Sequence, residues 1–116
     1  MFQARNGVAE SIEALIGAHR ELRMRLEDNE RILNRALVEL AEGTRVAHAM
    51  RAVPSIEARA ASEAAVQALY AARHRVREAV IGAALQEGMS ITEVAAEYGV
   101  APDVVVGFAN EAVRTE

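Results

Sequence analysis

The chain of 116 residues has no cysteine, no tryptophan and no lysine, and only 3% of its residues are aromatic. Without cysteine, neither a disulfide framework nor a thiolate metal site can form. With so few aromatic side chains, the core has to consist of leucine, isoleucine, valine and alanine, which suits closely packed helices better than a roomy ligand pocket. The length allows one compact domain, or one small domain with an elongated helical arm.

The sequence also lacks a long uninterrupted apolar run. No stretch reaches the roughly 18 uncharged apolar residues that a membrane-spanning helix requires. The first residues, Met1 to Asn6, do not have the pattern of a secretory signal. We therefore expect a cytoplasmic protein. A role at a membrane surface is not expected either, because the helices carry charges of both signs and no tryptophan anchors.

The net charge of −4 is unevenly distributed. Residues 1–43 carry six arginines and eight acidic residues, and residues 44–78 carry six arginines and three acidic residues. Residues 79–116 carry one arginine, Arg114, and six acidic residues. Because nucleic-acid-binding surfaces are normally basic, the acidic C-terminal part counts against DNA binding by that part alone.

Alanine, with 25 residues, and arginine, with 13, dominate the composition and favour helix over sheet. Apolar residues recur from Val8 to Leu40 at alternating steps of four and three, which predicts one long helix over about residues 8–42. The positions of this predicted seam are Val8, Ile12, Leu15, His19, Leu22, Leu26, Asn29, Leu33, Ala36 and Leu40. A helix of this length needs a partner helix, from this chain or from another copy.

Gly43 predicts the end of this helix, and Pro54 marks a boundary. Residues 44–53 either form a short helix or continue the first one. Ser55 is the expected N-cap of a second long helix that runs to about Glu87. The economical arrangement of two long helices joined in this way is an antiparallel hairpin.

The last part of the chain carries the most specific local signals. Ser90 and Glu93 form a capping box, which predicts a helix that begins at Ile91. Gly99 ends this helix after two turns, and Pro102 suits the first turn of the next helix. The pattern predicts two short helices across a tight turn.

This segment resembles the helix-turn-helix superfamily, as found in bacterial regulators, resolvases and sigma-factor-like domains. Ala95 stands where that family needs a small residue at the helix crossing, and Gly99 stands where it needs the turn. The resemblance covers residues 76–114, and residues 76–87 would supply the first of three helices. The positions that it directs inward are Val94, Tyr98, Val100, Val105 and Phe108.

The predicted fold is therefore all-α. A long, coiled-coil-like helical hairpin in residues 1–75, a possible dimerisation element, is followed by a C-terminal three-helix helix-turn-helix domain in residues 76–116.

The resemblance implies a bacterial DNA-binding transcription regulator that acts as a homodimer, with the second short helix in the major groove of double-stranded DNA. The groove residues that it implies are Ala101, Pro102, Asp103, Val106, Gly107 and Asn110, and the residues for phosphate contacts are Arg73, Arg75 and Arg77. Among the groove residues, Asn110 is of a type that reads base edges, whereas Asp103 would repel phosphate.

A second interpretation is a protein–protein interaction module, an adaptor or an inhibitor, built on a degenerate helix-turn-helix. It is favoured by the acidic surface and by two branched apolar residues at outward positions, Val104 and Val106. The arginines then form an ordinary solvated face that pairs with the acidic first helix.

An enzyme is not expected, because no Ser–His–acid constellation, glycine-rich phosphate-binding loop or paired-carboxylate motif can be assembled. The three histidines have no partner at metal-ligand spacing, so neither a metal nor another cofactor is expected.

Overall fold

A computed structural model describes the backbone of residues 2–53 and 56–115 and the side chains of residues 5–53 and 58–110. The described residues contain no strand, which confirms the all-α prediction. No helix among them is long and apolar enough to cross a membrane. The helices are α1 (Phe2–Ala41), α2 (Val46–Ala49), α3 (Ile56–Gln86), α4 (Ile91–Tyr98) and α5 (Pro102–Thr115), with a 3₁₀ turn (Met50–Ala52) after α2.

The predicted end of the first helix is confirmed, although α1 begins before the predicted start at Val8. Gly43 has a φ of +88°, and its N–H donates to the carbonyl of Leu40 over 3.1 Å. The N–H of Thr44 donates to the carbonyl of Glu39 over 2.9 Å, which completes the hydrogen-bond pattern that closes helices at a left-handed glycine.

Of the two alternatives for the segment between the long helices, the structure shows the separate short helix. This segment consists of α2 and the 3₁₀ turn and does not continue α1. The second long helix, α3, agrees with the prediction that it runs to about Glu87. The predicted boundary at Pro54 and the predicted cap at Ser55 lie outside the described residues.

The chain forms two compact units, Gly17–Tyr70 and Met1–Ile16 with Ala71–Glu116. The division between residues 75 and 76 expected from the sequence falls inside α3. In the unit that contains the C-terminal residues, Arg5 forms a 2.6 Å ion pair with Glu87 at the end of α3. This contact joins the beginning of α1 to the end of α3 within that unit.

In the unit Gly17–Tyr70, α1 and α3 are linked by a hydrogen bond of 3.2 Å from Asn29 Nδ2 to Ser62 Oγ. The buried side chains of this unit are small or aliphatic: Ala36, Ala49, Ala65 and Leu69. Because alanine side chains are small, the axes of the two helices can lie close together.

Half of the predicted seam of α1 is wrong by one residue. Its members Val8, Leu15, Leu22, Asn29 and Ala36 are buried or half-buried. The other predicted positions are exposed: Ile12, His19, Leu26, Leu33 and Leu40. The residue before each of these is shielded in its place: Ser11, Ala18, Arg25, Ile32 and Glu39. Two neighbouring stripes of α1 share the same heptad spacing, and periodicity alone does not tell which of them is shielded.

The left-handed turn after α4 provides a test of this fold. Gly99 has a φ of +64°, so Gly99→Ala should lower the free energy of unfolding by roughly 1 to 2 kcal/mol. The matched control is Gly107→Ala, because Gly107 lies inside α5 and an added Cβ would meet no atom within 4 Å. This control should leave stability unchanged or raise it by up to about 1 kcal/mol. Urea denaturation measures both, and equal effects of the two changes would contradict the turn.

Candidate nucleic-acid interface

Short-range hydrogen bonds define both ends of α4. Ser90 Oγ accepts from the N–H of Glu93 over 3.1 Å, and Glu93 Oε1 accepts from the N–H of Ser90 over 3.2 Å. At the other end, Gly99 is left-handed, and the N–H of Val100 donates to the carbonyl of Ala95 over 3.1 Å. The predicted capping box, the start at Ile91 and the turn at Gly99 are therefore confirmed.

Three helices meet in a small core that fixes the position of α5. Ile81 of α3, Val94 of α4 and Val105 of α5 are each 0% exposed. Ala84, Ala95 and Phe108 complete the buried cluster, and Leu85, Met89 and Val100 pack against it. Because α4 has 8 residues and α5 has 14, neither would be a stable helix in isolation. Their orientation therefore depends on this core.

Tyr98, which was expected to point inward, lies at the edge of this unit with 41% of its surface exposed. It lines a shallow groove of about 430 Å³ together with Val8, Val80 and Met89. Partial exposure is common for tyrosine, whose side chain combines an apolar ring with a polar hydroxyl.

All six groove residues predicted from the sequence are exposed: Ala101, Pro102, Asp103, Val106, Gly107 and Asn110. A rotation of about 100° per residue places Asp103, Val106, Gly107 and Asn110 within about 100° of one another around α5. This face of α5, which we call the outer face, is opposite the buried Val105 and Phe108. Pro102 lies next to it in the first turn, and Ala101 immediately precedes the helix.

The two exposed valines of α5 do not form one patch. Val104 and Val106 are two residues apart, so helical geometry turns them about 160° from each other. Only Val106 belongs to the outer face. A single flat protein surface would therefore not cover both side chains, which weakens the argument that they form a joint contact site.

The charge on α4 and on the described part of α5 is entirely acidic. Residues 91–110 contain Glu93, Glu97 and Asp103 and no basic residue. The side chains of Glu111 and Arg114 lie outside the described residues. Among the side chains that the structure describes, any attraction to a polyanion therefore has to come from another helix.

The predicted phosphate-contact residues, Arg73, Arg75 and Arg77, are exposed on α3. Between them, His74 packs against Phe108 of α5, with ring centroids 5.2 Å apart. The following angles are rotations about the axis of α3, measured from His74. Arg77 lies about 60° and Arg73 about 100° to one side of His74, whereas Arg75 lies about 100° to the other side. The arginines therefore lie along both edges of the α3 face that meets α5, and only Arg73 and Arg77 share an edge.

The contact between His74 and Phe108 is not among the features predicted from the sequence. A signal for it exists, because His74 precedes the fully buried Ile81 by seven residues and shares its side of α3. His74 also lies 4.0 Å from Glu78 of the same helix. His74 thus links the arginine-rich stretch of α3 directly to α5.

Within the part of the chain that the structure describes, no group of three or more histidine, aspartate and glutamate side chains is placed to hold a metal ion. Comparisons with protein-family models, curated proteins and solved structures gave no match to this chain. The functional argument therefore stands on the geometry described above.

Adjacent residues of α5 provide a test of how the outer face is held. Val105→Ala should lower the free energy of unfolding by about 2 kcal/mol, because it removes two methyl groups from a fully buried position. Val106→Ala, at a position 41% exposed, should change it by less than about 0.5 kcal/mol. Thermal or urea unfolding of the two variants measures the difference. Equal losses would mean that α5 is not packed in this orientation.

Proposed function

We propose that residues 76–114 act as a helix-turn-helix unit that binds double-stranded DNA, as in a transcription regulator, with α5 as the helix that enters the major groove. The remainder of the chain serves as a long helical hairpin through which two copies pair. The observation that carries the proposal is that the outer face of α5 is exposed, while the opposite side of α5 is held in a core to which all three helices contribute.

The outer face is suited to approach the edges of base pairs closely. Gly107 has no side chain, and nothing lies within 4 Å of where its Cβ would be, so a base edge or phosphate can approach the backbone there. Val106 can contact a thymine methyl group, and Asn110 can pair with adenine through its amide. Asp103 is the unfavourable member of this set, because its charge repels phosphate.

The electrostatic attraction in this proposal comes from α3. Arg73 and Arg77 lie on one edge of the surface that packs against α5, one helical turn apart, and both residues are exposed. Phosphate contacts from two such arginines would position α5 on the duplex without selecting a sequence. Arg75, on the opposite edge, is the natural control.

The first test is a fluorescence-anisotropy titration of a mixed-sequence duplex at low and at moderate salt. Binding should be detectable at low salt and weaken as salt rises. Changing Arg73 and Arg77 together to Ala should make the logarithmic salt dependence less steep by about 2, one for each lost phosphate contact. Arg75→Ala should have a smaller effect. No binding at low salt, or an equal effect of Arg75→Ala, would contradict this assignment.

A second test addresses the acidic residue on the outer face. Asp103→Asn removes a negative charge next to the proposed phosphate path, so affinity for mixed-sequence DNA should rise by about threefold. The matched control is Glu97→Gln on α4, an exposed acidic residue outside the outer face. An equal gain from both changes would show a general charge effect, and no gain from Asp103→Asn would place α5 away from the duplex.

The second candidate function is a protein-binding module, an adaptor or an inhibitor. The observation that favours it is the absence of basic side chains from residues 91–110, together with the exposure of Val104 and Val106 on two different sides of α5. If this candidate is correct, the DNA titration gives no binding. A partner protein recovered with the wild-type chain should then be lost with Val104→Ser and Val106→Ser combined, while helical content stays unchanged. Retention of that partner would exclude contacts at either valine.

A further inference from the structure

Within the unit Gly17–Tyr70, a pocket of about 320 Å³ lies between α1, α3 and the residue that follows the 3₁₀ turn. We call it the α1–α3 pocket. Its lining residues are Asn29 and Leu33 of α1, Val53, and Arg59, Ser62 and Glu63 of α3. Pockets that bind small molecules usually measure about 300 to 1,000 Å³. The α1–α3 pocket is at the lower end of this range, so it suits a small metabolite.

The lining of the α1–α3 pocket combines apolar surface with two opposite charges. Leu33, which is 48% exposed, and the half-buried Val53 supply the apolar surface. Arg59 and Glu63 supply one positive and one negative charge, and both residues are exposed. Because they are four residues apart on α3, they lie on one side of the helix, about 6 Å from each other along its axis.

The two charges of the pocket are not used by the fold. On α1, Arg35 and Glu39 have the same spacing and order, and they form an ion pair of 3.6 Å. Arg59 and Glu63 form no ion pair with each other or with another residue that the structure describes. Both groups are therefore available to a ligand.

A hydrogen bond holds the polar part of the pocket in place. Asn29 Nδ2 donates to Ser62 Oγ over 3.2 Å, and both residues are half-buried. This bond uses one N–H of the amide. The other N–H can donate to a ligand, and Oδ1 can accept from one. The amide of Asn29 thus suits a ligand that carries both acceptors and donors.

We propose that the α1–α3 pocket binds a small aliphatic α-amino acid. Its carboxylate accepts hydrogen bonds from the guanidinium of Arg59, and its ammonium group donates to the carboxylate of Glu63. Its aliphatic side chain contacts Leu33 and Val53. An α-amino acid carries both charged groups on one carbon atom, so a single small molecule can bind between the two charges of α3.

Other small ligands match this pocket less well. A phosphate or another simple anion would bind Arg59 but would be repelled by Glu63, and a metal cation would be repelled by Arg59. A purely apolar molecule would leave both charged groups without a partner and remove part of their hydration. Charge complementarity to the Arg59 and Glu63 pair therefore favours a zwitterion.

This inference goes beyond the proposed function and does not depend on it. The pocket residues belong to the unit Gly17–Tyr70, whereas the proposed DNA-binding residues belong to the other unit. Amino-acid binding is measured without DNA, so either proposal can fail while the other stands.

The ligand class can be tested by NMR titration of the ¹⁵N-labelled full chain with L-leucine and L-valine. Saturable shifts should be centred on the side-chain amide of Asn29 and on the backbone amides of residues 59–63. The Kd should be on the order of 1 mM or lower, as expected for ligands of this size. Two probes that each lack one charged group, 4-methylpentanoate and leucinamide, should bind at least about tenfold more weakly.

The charged residues can be tested with single variants in the same titration. Arg59→Gln and Glu63→Gln should each weaken the binding of L-leucine by about tenfold or more, because each removes one charged partner. The matched control is Arg51→Gln, an exposed arginine of the same unit that does not line the pocket. This control should bind as the wild type does.

Three outcomes would overturn the proposal. The first is the absence of saturable shifts with both amino acids at millimolar concentrations. The second is binding of 4-methylpentanoate or leucinamide as tightly as L-leucine, which would mean that the pocket does not recognise a zwitterion. The third is an equal loss of binding in Arg51→Gln and Arg59→Gln, which would indicate a general charge effect.

Discussion

The arrangement of the C-terminal helices depends on the burial of three aliphatic side chains, Ile81, Val94 and Val105, one from each of α3, α4 and α5. Short helices of 8 and 14 residues gain too little from their own hydrogen bonds to persist in water. Burial of one face of each against α3 supplies the missing free energy. The same burial decides which side of α5 is exposed, so the proposed recognition surface follows from the packing of the residues behind it.

The scarcity of aromatic residues shapes the rest of the molecule. Phe108 is the one aromatic residue among the buried hydrophobic side chains of the described part, and most of the others are alanines. Alanine allows close approach of helices but removes little apolar area from water for each residue buried. On α1, Leu26 and Leu37 are left with more than half of their surface exposed, and Leu33 with 48%.

Local signals in the sequence were sufficient to predict both ends of α4 and the end of α1, but not the start of α1 or the long-range packing. The capping box of Ser90 and the turn at Gly99 depend on residues within one or two turns, so their prediction required no knowledge of the fold. The seam of α1 was half wrong because two adjacent stripes have equal periodicity. Likewise, no local pattern predicts the ion pair between Arg5 and Glu87, which joins residues far apart in the sequence. The exposure of the six proposed groove residues agrees with the sequence, whereas the contact of His74 with Phe108 was not predicted.

Hydrogen bonds fix both ends of α4, and this affects how the C-terminal helices unfold locally. A helix usually frays from its ends, where amide groups exchange with water first. In α4, the Ser90 cap holds the first turn and the Gly99 turn holds the last, while Val94 and Ala95 are buried between them. The backbone amides of α4 should therefore become accessible together, in one step that also releases α5. Hydrogen exchange along α4 would report the cooperative opening of the three-helix core, with little contribution from fraying.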